Sequence, residues 1–313
     1  RLRSHSVPTH ETFRICFPWE IKKEISLLFD RVKPDVVHIQ SHYMIGEHVL
    51  YEAVKRGVRI VATNHFMPEN LNPFLPFPQW FKNIIGRISW KDMGKVMGQA
   101  DVITTPTPLA ARTMEEKAGF EHVLPLSNGI DVEHYQPRPG EQIEKHQRPT
   151  VLFVGRLAVE KHVDLLIDAI AQTDPVLDIG LEILGDGEQR DRLNQQIQEL
   201  GLEERVHLRG YVDEDELRRA YIRADVFCQP GTAELQSLVS LEAMSAGTPV
   251  VLADALALPH LVDQGRNGFL FAPGDAADLA QKLTQVVTQS EERREAMGLH
   301  SLKKATRHSI LQT

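Results

Sequence analysis

The chain has 313 residues, of which 42% are hydrophobic and 25% are charged, a composition typical of a soluble globular protein long enough for two domains. Its net charge of −8 argues against a nucleic-acid partner, and two cysteines are too few for a disulfide framework or a cysteine-rich zinc site. No apolar run approaches the roughly 18 residues that span a bilayer, and the N-terminus lacks the apolar segment of a signal peptide, so a cytoplasmic location is expected.

The first half of the chain contains four short runs rich in β-branched residues, each predicted to be a strand. They cover residues 35–39, 58–63, 101–104 and 123–126. Amphipathic segments separate them, and the segment before the first strand has Ile21, Ile25, Leu28 and Val32 on one predicted helix face. Strands that alternate with helices predict a parallel sheet covered on both faces.

Residues 74–97 combine aromatic and apolar side chains with a local excess of positive charge. The basic residues of this stretch, set against the single acid Asp92, are Lys82, Arg87, Lys91 and Lys95. Such a pattern is typical of a helix lying in the surface of an anionic membrane. The protein would then be peripheral on the inner face of the plasma membrane. The alternative is an ordinary helix that is buried on one face and turns its basic residues to solvent.

Residues 137–149 contain three prolines and one glycine and form the predicted linker between two domains. The charge changes there, from a net +2 over residues 1–148 to −10 over residues 149–313. The second half predicts six more strands, at residues 151–155, 180–184, 205–209, 225–228, 249–252 and 268–271. Each half therefore predicts a doubly wound α/β domain, and tandem domains of this kind bind ligands in the cleft at the carboxyl ends of their sheets.

Two turns in the second half carry residues suited to phosphate binding. The run VLFVGRLAVEK places Gly155 and Arg156 at a strand end and Lys161 five residues beyond Arg156, near a helix start. These two cations suit a diphosphate bound without a metal. The alternative is that they pair with acidic residues in ordinary salt bridges between the domains. Gly185 and Gly187 follow the next strand, where they permit close approach of a ligand or simply begin a helix.

The run ELQSLVSLEAMSAGTPVV contains two glutamates, Glu234 and Glu242, around a predicted helix start near Gln236 or Ser237. Backbone N–H groups at a helix start favour phosphate, whereas carboxylates beside such a site suit the hydroxyl groups of a sugar and a ribose. The alternative is a solvated pair of glutamates flanking the helix start.

Taken together, VGRL…EK, LGDG, GYV and the E-x7-E run ending in LEAMSAGTPVV resemble, in order and spacing, the retaining glycosyltransferases of family 4, which have the GT-B fold. In the first half, ATNHF resembles the acceptor-side histidine segment, and SNGID resembles the segment before the domain linker. The resemblance implies two Rossmann-like domains facing across a cleft. Residues 1–148 would form the acceptor side and residues 149–313 the nucleotide-sugar donor side.

The resemblance also implies a role for individual residues in moving a hexose, of the glucose or mannose class, from UDP- or GDP-hexose with retained configuration. Arg156 and Lys161 would hold the diphosphate, Glu234 the transferred sugar and Glu242 the ribose. The other positions expected to line the donor are Gly155, Gly185, Gly187, Tyr211, Val212, Ser237 and Leu238. No cofactor and no metal are expected.

His65 would stand beside the reacting sugar and orient or polarise it, while stabilisation of the leaving diphosphate would supply the largest catalytic effect. The acceptor would attack from the donor face, and the leaving phosphate would take its proton. The expected acceptor is a membrane glycolipid or a small sugar. The alternative for His65 is a histidine that is merely hydrogen-bonded at a strand end.

The chain departs from the family pattern in two ways. Many members have Phe-Gly at the positions of Gln236 and Ser237, so that a serine, expected to cap the helix, replaces a glycine that allows close backbone approach. Family members also begin with a strand and a glycine-rich loop before the position of Arg1 and continue beyond HSILQT into a further helix. The chain is therefore expected to be truncated at both ends.

Two patterns that resemble metal sites favour simpler interpretations. Asp213-Glu214-Asp215 opens a helical segment and is predicted to cap it, and His38, His42 and His48 do not share one helix face. Two other functions stay open from the residues: a nucleotide-sugar epimerase or hydrolase of the same fold, and a non-catalytic donor-binding module.

Overall fold

The computed structural model describes residues 4–7, 10–68 and 77–312, with residues 6, 7 and 10–15 described by their backbone alone. The chain divides into two compact units, 1–126 (unit 1) and 127–313 (unit 2). Both cysteines are buried and neither forms a disulfide.

Unit 1 contains a parallel sheet of four strands and a separate antiparallel hairpin. The elements in chain order are β1 (His5–Val7), β2 (His10–Ile15), α1 (Pro18–Val32), β3 (Val36–Ile39), α2 (Met44–Arg56), β4 (Arg59–Thr63), α3 (Gln79–Met97), β5 (Val102–Thr105), α4 (Pro108–Ala118) and β6 (Leu124–Pro125). The sheet has the order β3-β4-β5-β6, so the four predicted strands of this half are confirmed as parallel neighbours. The hairpin of β1 and β2 was not predicted.

Helix α1 buries a narrower face than its sequence predicts. Ile21, Ile25 and Phe29 are buried, and the guanidinium of Arg56 on α2 lies over the Phe29 ring. Leu28 and Val32, predicted to belong to the buried face, are exposed. Burial depends on a covering neighbour as well as on helical spacing, so the amphipathic pattern alone overestimated the buried surface.

Unit 2 contains a parallel sheet of six strands with helices packed against it. In chain order these are β7 (Thr150–Val154), α5 (Val163–Gln172), β8 (Gly180–Leu184), α6 (Arg190–Glu199), β9 (Val206–Gly210), α7 (Glu214–Arg223), β10 (Val226–Gln229), α8 (Leu238–Ser245), β11 (Val250–Ala253), β12 (Gly268–Phe271), α9 (Ala276–Val287) and α10 (Glu291–Ala305). The order β12-β11-β10-β7-β8-β9 confirms all six predicted strands and the doubly wound topology.

The interior of this sheet is covered on both faces. Every residue of β7, β8, β10 and β11 is buried, as the continuously apolar runs predict for parallel strands. Helix α5 buries Val163, Leu166, Ile167 and Ile170, which confirms the face predicted from their spacing.

The structure divides the chain between Leu126 and Ser127 rather than at the predicted boundary of 148/149. Ile130 and Val132 lie in the core of unit 2, and the fully buried Arg218 of α7 donates to the carbonyl of Gln136 and pairs with Glu141. These contacts attach the proline-rich segment to unit 2. Its composition resembles that of a linker because it contributes few apolar side chains and is held mainly by polar contacts.

Candidate functional site

The loops that leave β7, β8 and β9 lie against one another at the carboxyl edge of the unit 2 sheet. The Gly155 N–H donates to the carbonyl of Leu184 (3.0 Å), and the Gly185 N–H donates to the carbonyl of Gly210 (2.8 Å). The Leu157 N–H donates to the carbonyl of Asp186 (3.0 Å). The backbone around Gly155, Gly185 and Gly187 therefore forms one hydrogen-bonded layer, called here the glycine layer. It lies at the edge where ligands of such folds bind.

Gly185 and Gly187 are required by the contact between these loops. A Cβ at Gly185 would lie 1.9 Å from the Gly155 carbonyl oxygen, and a Cβ at Gly187 would lie 2.5 Å from that of Leu157. Gly185 also has a φ of 127°, a conformation that side chains rarely adopt. The close approach inferred from sequence is thus, in this structure, an approach of backbone to backbone.

The structure brings two of the predicted donor residues into contact. Lys161 ends a short 3₁₀ turn after β7, and its ammonium group pairs with the carboxylate of Glu234 in the loop after β10. Both side chains are mostly buried. Arg156, by contrast, is largely exposed and pairs with Glu160 (2.5 Å), four residues along the chain. Lys161 and Glu234 therefore form one charged centre, and Arg156 stands on the same β7 loop with a different partner.

Helix α8 begins at Leu238, with Ser237 in the capping position. The Ser237 hydroxyl is hydrogen-bonded to the Ser240 hydroxyl (2.7 Å) and to no backbone N–H of the helix, so the predicted side-chain cap is wrong. Because the serine hydroxyl is engaged elsewhere, the first backbone N–H groups of α8 receive no side-chain acceptor from their cap. Such a helix start favours an anion.

Gln236 fixes the loop before α8, a role that sequence reasoning missed. Its amide oxygen accepts from the backbone N–H of Asn128 (3.0 Å), and its amide nitrogen donates to the Ser127 hydroxyl (2.7 Å). The signal was present in the departure from the Phe-Gly pattern, because a glutamine in place of an apolar residue needs polar partners when it is buried.

Glu242 lies in the second turn of α8 and is held by a phenol group. The Tyr221 hydroxyl donates to a carboxylate oxygen (2.7 Å), and the Tyr135 phenol lies close enough to the same carboxylate to affect its pKa. Burial raises the pKa of Glu242 above its ordinary value, while the two phenol donors act in the opposite direction. The solvated-glutamate alternative is thus wrong for Glu242.

Val212 and Tyr211 leave β9 beside the Gly185 loop. Val212 is partly buried, whereas the Tyr211 side chain is 89% exposed. The next residue, Asp213, caps α7 by accepting from the backbone N–H of Glu216 (2.8 Å), which confirms the capping interpretation of the acidic run.

His65 stands in unit 1, just beyond β4. Its Nε2 atom is 2.5 Å from the amide oxygen of Gln40, so Nε2 carries the hydrogen and Nδ1 is an acceptor. Partial desolvation, with a smaller contribution from nearby His38, lowers the pKa of His65. The ring is therefore neutral at pH 7. The hydrogen-bonded histidine proposed as the alternative is present, and its exposed side chain is compatible with ligand contact as well.

Among residues 4–7, 10–68 and 77–312, no group of three or more His, Cys, Asp and Glu side chains is arranged to hold a metal ion. His38 is hydrogen-bonded to Thr63 (2.6 Å), and His48 to the Met44 carbonyl (2.8 Å). His42 is buried, and burial lowers its pKa. In the described part of the chain, no helix is both long and apolar enough to cross a bilayer.

Comparison with known families agrees with this architecture. The profile described as "Glycosyl transferases group 1" matches residues 138–301, and the profile "Glycosyltransferase Family 4" matches residues 1–134. The chain belongs to the family 4 glycosyltransferases. This family membership confirms the resemblance drawn from the motifs.

Individual relatives cover most of this chain. A sulfoquinovosyl transferase of Arabidopsis thaliana is 30% identical over 285 residues, which are 86% of this chain and 52% of that protein. A phosphatidyl-myo-inositol mannosyltransferase of Mycobacterium leprae is 32% identical over 232 residues, 72% of this chain and 56% of that protein. The chain thus spans about half the length of these relatives.

A solved structure of the Anabaena protein Alr3699/HepE in complex with UDP-glucose superimposes with a TM-score of 0.77 at 23% identity. The match covers 93% of this chain and 78% of that protein. The two parallel-sheet units are the Rossmann-like domains of the GT-B fold.

Proposed function

We propose that this glycosyltransferase moves a hexose from a nucleoside-diphosphate sugar to an acceptor with retention of the anomeric configuration. The observation that carries the proposal is the contact between Lys161 and Glu234 in unit 2, the unit whose helix α8 has an uncapped start. A nucleotide sugar needs a cation for its phosphates and an acceptor of hydroxyl hydrogen bonds for its sugar, and this centre supplies both.

Within this proposal, each part of the donor has a partner in unit 2. Lys161, the exposed Arg156 and the start of α8 at Ser237 and Leu238 bind the diphosphate. Glu234 accepts hydrogen bonds from the transferred hexose, and Glu242 accepts them from the ribose. The base lies against the glycine layer, next to Tyr211 and Val212. UDP-glucose bound to Alr3699/HepE supports a donor of this class.

The chemistry of the site favours stabilisation of the leaving group. As the bond between the sugar and the diphosphate breaks, negative charge grows on the phosphate oxygens, where Lys161, Arg156 and the helix start stabilise it. The acceptor hydroxyl attacks from the same face, and the departing phosphate takes its proton. His65, neutral with Nδ1 able to accept a hydrogen bond, orients the reacting sugar.

The first test is calorimetric titration of the full chain with UDP-glucose and GDP-mannose. We expect one donor to bind, and Lys161→Ala to weaken its binding at least about 10-fold, the effect of losing a charge-assisted hydrogen bond. Lys303→Ala, an exposed lysine on α10, is the matched control and should leave binding unchanged. Equal affinities of wild type and Lys161→Ala would refute the donor site, whereas acceptor-independent epimerisation or hydrolysis of the bound donor would refute transfer.

We further propose an anionic membrane as the source of the acceptor, through the outer face of α3. Trp80 and Ile88 on this face are 65% and 64% exposed, and Ile84 between them is exposed as well. Spacings of three and four residues place Arg87, Lys91 and Lys95 on the same side. None of these three cations pairs with an acid among the residues that the structure describes.

The opposite face of α3 is buried, at Trp90, Met93, Val96 and Met97. The alternative of a helix buried on one face, with its basic residues toward solvent, therefore holds in part. Residues 74–76 of the predicted segment lie outside the described residues.

Co-sedimentation with vesicles tests the membrane proposal. We expect binding to vesicles rich in phosphatidylglycerol and little binding to pure phosphatidylcholine, because each surface cation gains about 1 kcal/mol near an anionic bilayer. Arg87→Glu with Lys91→Glu should abolish the binding. Lys22→Glu with Lys23→Glu, exposed on α1 and equal in charge change, is the control. Identical loss in both double variants would reject a specific face on α3.

A further inference from the structure

Two tyrosines from separate parts of unit 2 converge on the Glu242 carboxylate. Tyr221 comes from α7 and donates its hydroxyl to a Glu242 oxygen at 2.7 Å. Tyr135 comes from the segment before β7, and its phenol lies close enough to the same carboxylate to favour its ionised form. The two phenol rings pack edge to face, with centroids 5.8 Å apart and planes at 80°.

No lysine or arginine of the described chain forms an ion pair with Glu242. A partly buried carboxylate without a paired cation depends on hydrogen-bond donors for its charge and its orientation. The nearby charged groups are Glu214, which disfavours ionisation of Glu242, and His134, which favours it. Glu214 and His134 also lie 3.3 Å from one another. Tyr221 is therefore the direct hydrogen-bond partner of the carboxylate, and the Tyr135 phenol beside it is a second group that favours the ionised form.

The Tyr221 hydroxyl occupies a fixed position. The side chain is fully buried, its ring lies 5.9 Å from the Phe227 ring, and its backbone carbonyl accepts from the Thr248 hydroxyl at 2.7 Å. Anchoring of this kind holds a side chain in one geometry and transmits that geometry to its hydrogen-bond partner. A carboxylate oxygen has two acceptor sites, so two phenol donors leave acceptor capacity on Glu242 for a ligand.

We infer that Tyr221 and Tyr135 are positioning residues that hold the Glu242 carboxylate in the orientation that accepts hydrogen bonds from the ribose diol of the donor nucleotide. The inference rests on the proposed function, because it takes Glu242 as the ribose contact. It adds a physical basis for ribose recognition, in which neutral phenol groups replace the usual cation as the support of the carboxylate. Neither tyrosine needs to touch the donor.

The test compares affinity for UDP and for its 2′,3′-dideoxy analogue, with the corresponding guanosine pair run in parallel. Wild type should prefer the ribose form. Tyr221→Phe should weaken UDP binding about 10-fold while it leaves the dideoxy analogue within about 2-fold, because the loss of a hydrogen bond to a charged group falls on the ribose contact alone. Tyr135→Phe should act in the same direction. Tyr51→Phe on α2 in unit 1 is the matched control.

A pH series supplies a readout that a merely structural role would not change. Ribose preference should fall on acidification as Glu242 takes up a proton. Removing a donor that stabilises the ionised form should move this fall to higher pH in Tyr221→Phe. Equal weakening of both nucleotide forms, or an unshifted pH profile, would overturn the inference and leave the donor site in place. If wild type bound neither nucleotide, the proposed function would fail, and this inference would fail with it.

Discussion

The two sheets of this protein are covered to different degrees. In unit 2, every residue of β7, β8, β10 and β11 is buried. In unit 1, strand β3 has only Ile39 buried, and Val36 is 53% exposed. The exposed apolar residues of unit 1 also include Leu28 and Val32 on α1, together with the outer face of α3.

This difference indicates how binding is divided between the units. A sheet covered on both faces holds the loops at its carboxyl edge in fixed positions, which suits the recognition of a donor that always has the same diphosphate and ribose. Apolar surface left open on a helix whose Arg87, Lys91 and Lys95 pair with no acid in the described part of the chain suits contact with an extended partner such as a membrane. Under the proposed function, donor chemistry would depend on the ordered edge of unit 2, and contact with a membrane acceptor would depend on the surface of unit 1.

The largest expected effect is the loss of the glycine layer in unit 2. Gly185→Ala places a Cβ against the Gly155 carbonyl oxygen at a φ of 127°, so we expect it to cost about 4 kcal/mol in the unfolding of this unit. Gly201→Ala is the control, because its φ is also positive, at 63°, and no atom lies within 4 Å of its Cβ. That variant should cost about 1 kcal/mol.

The tryptophans allow the two units to be followed separately in this experiment. The three tryptophans of the chain are Trp19, Trp80 and Trp90, all in unit 1. Urea unfolding of Gly185→Ala should shift the circular dichroism transition and leave the tryptophan emission transition unchanged. A common shift of both signals would mean that the units unfold as one and would break the comparison.

A smaller effect is expected where the proline-rich segment joins unit 2. The buried guanidinium of Arg218 lowers the pKa of Glu141 to about 2 and also binds the Gln136 carbonyl. Arg218→Met keeps the apolar stem but removes these contacts, so we expect a loss of about 2 kcal/mol and faster proteolysis between residues 136 and 149. Arg219→Met, on the same helix with an exposed pair, should change neither. Unchanged proteolysis in Arg218→Met would contradict attachment through this arginine.

The smallest effect is the response of the two units to acid. Burial lowers the pKa values of His42 and His65 in unit 1 and of His260 and His308 in unit 2, where the last two rings lie 5.9 Å apart. The unfolded chain then binds more protons than the folded chain below about pH 6.5. Stability should therefore be nearly constant above about pH 7 and decline as pH falls from 7 to 5.5.

His308→Gln isolates one contribution to this acid response. In urea unfolding followed by circular dichroism, the variant should lose less stability than wild type between pH 7 and 5.5. The reason is that unit 2 then has one fewer histidine whose pKa is lowered by folding. Tryptophan emission, which reports unit 1, should show the same decline in both proteins. A steeper decline in the variant than in wild type would reverse the assigned direction.

The ten predicted strands are all present, because continuous apolar runs between turn residues are typical of parallel strands and depend on local sequence. The hairpin of β1 and β2 was missed, since its runs are short, contain many polar and charged residues, and have no glycine between them. The unit boundary was placed too late for a related reason. Arg218 attaches the proline-rich segment through Glu141, which is 77 residues away in the sequence, and local composition cannot reveal a contact at that separation.

The sequence by itself determined the family, the two parallel sheets and the residue types of the candidate donor site, because motif order and strand periodicity are properties of neighbouring residues. Only the tertiary structure decided which of those residues meet. It paired Lys161 with Glu234, engaged Ser237 with Ser240 instead of the helix backbone, and surrounded Glu242 with Tyr221 and Tyr135. These contacts join loops and helices that follow different strands, and the packing of the whole sheet sets the distances between them.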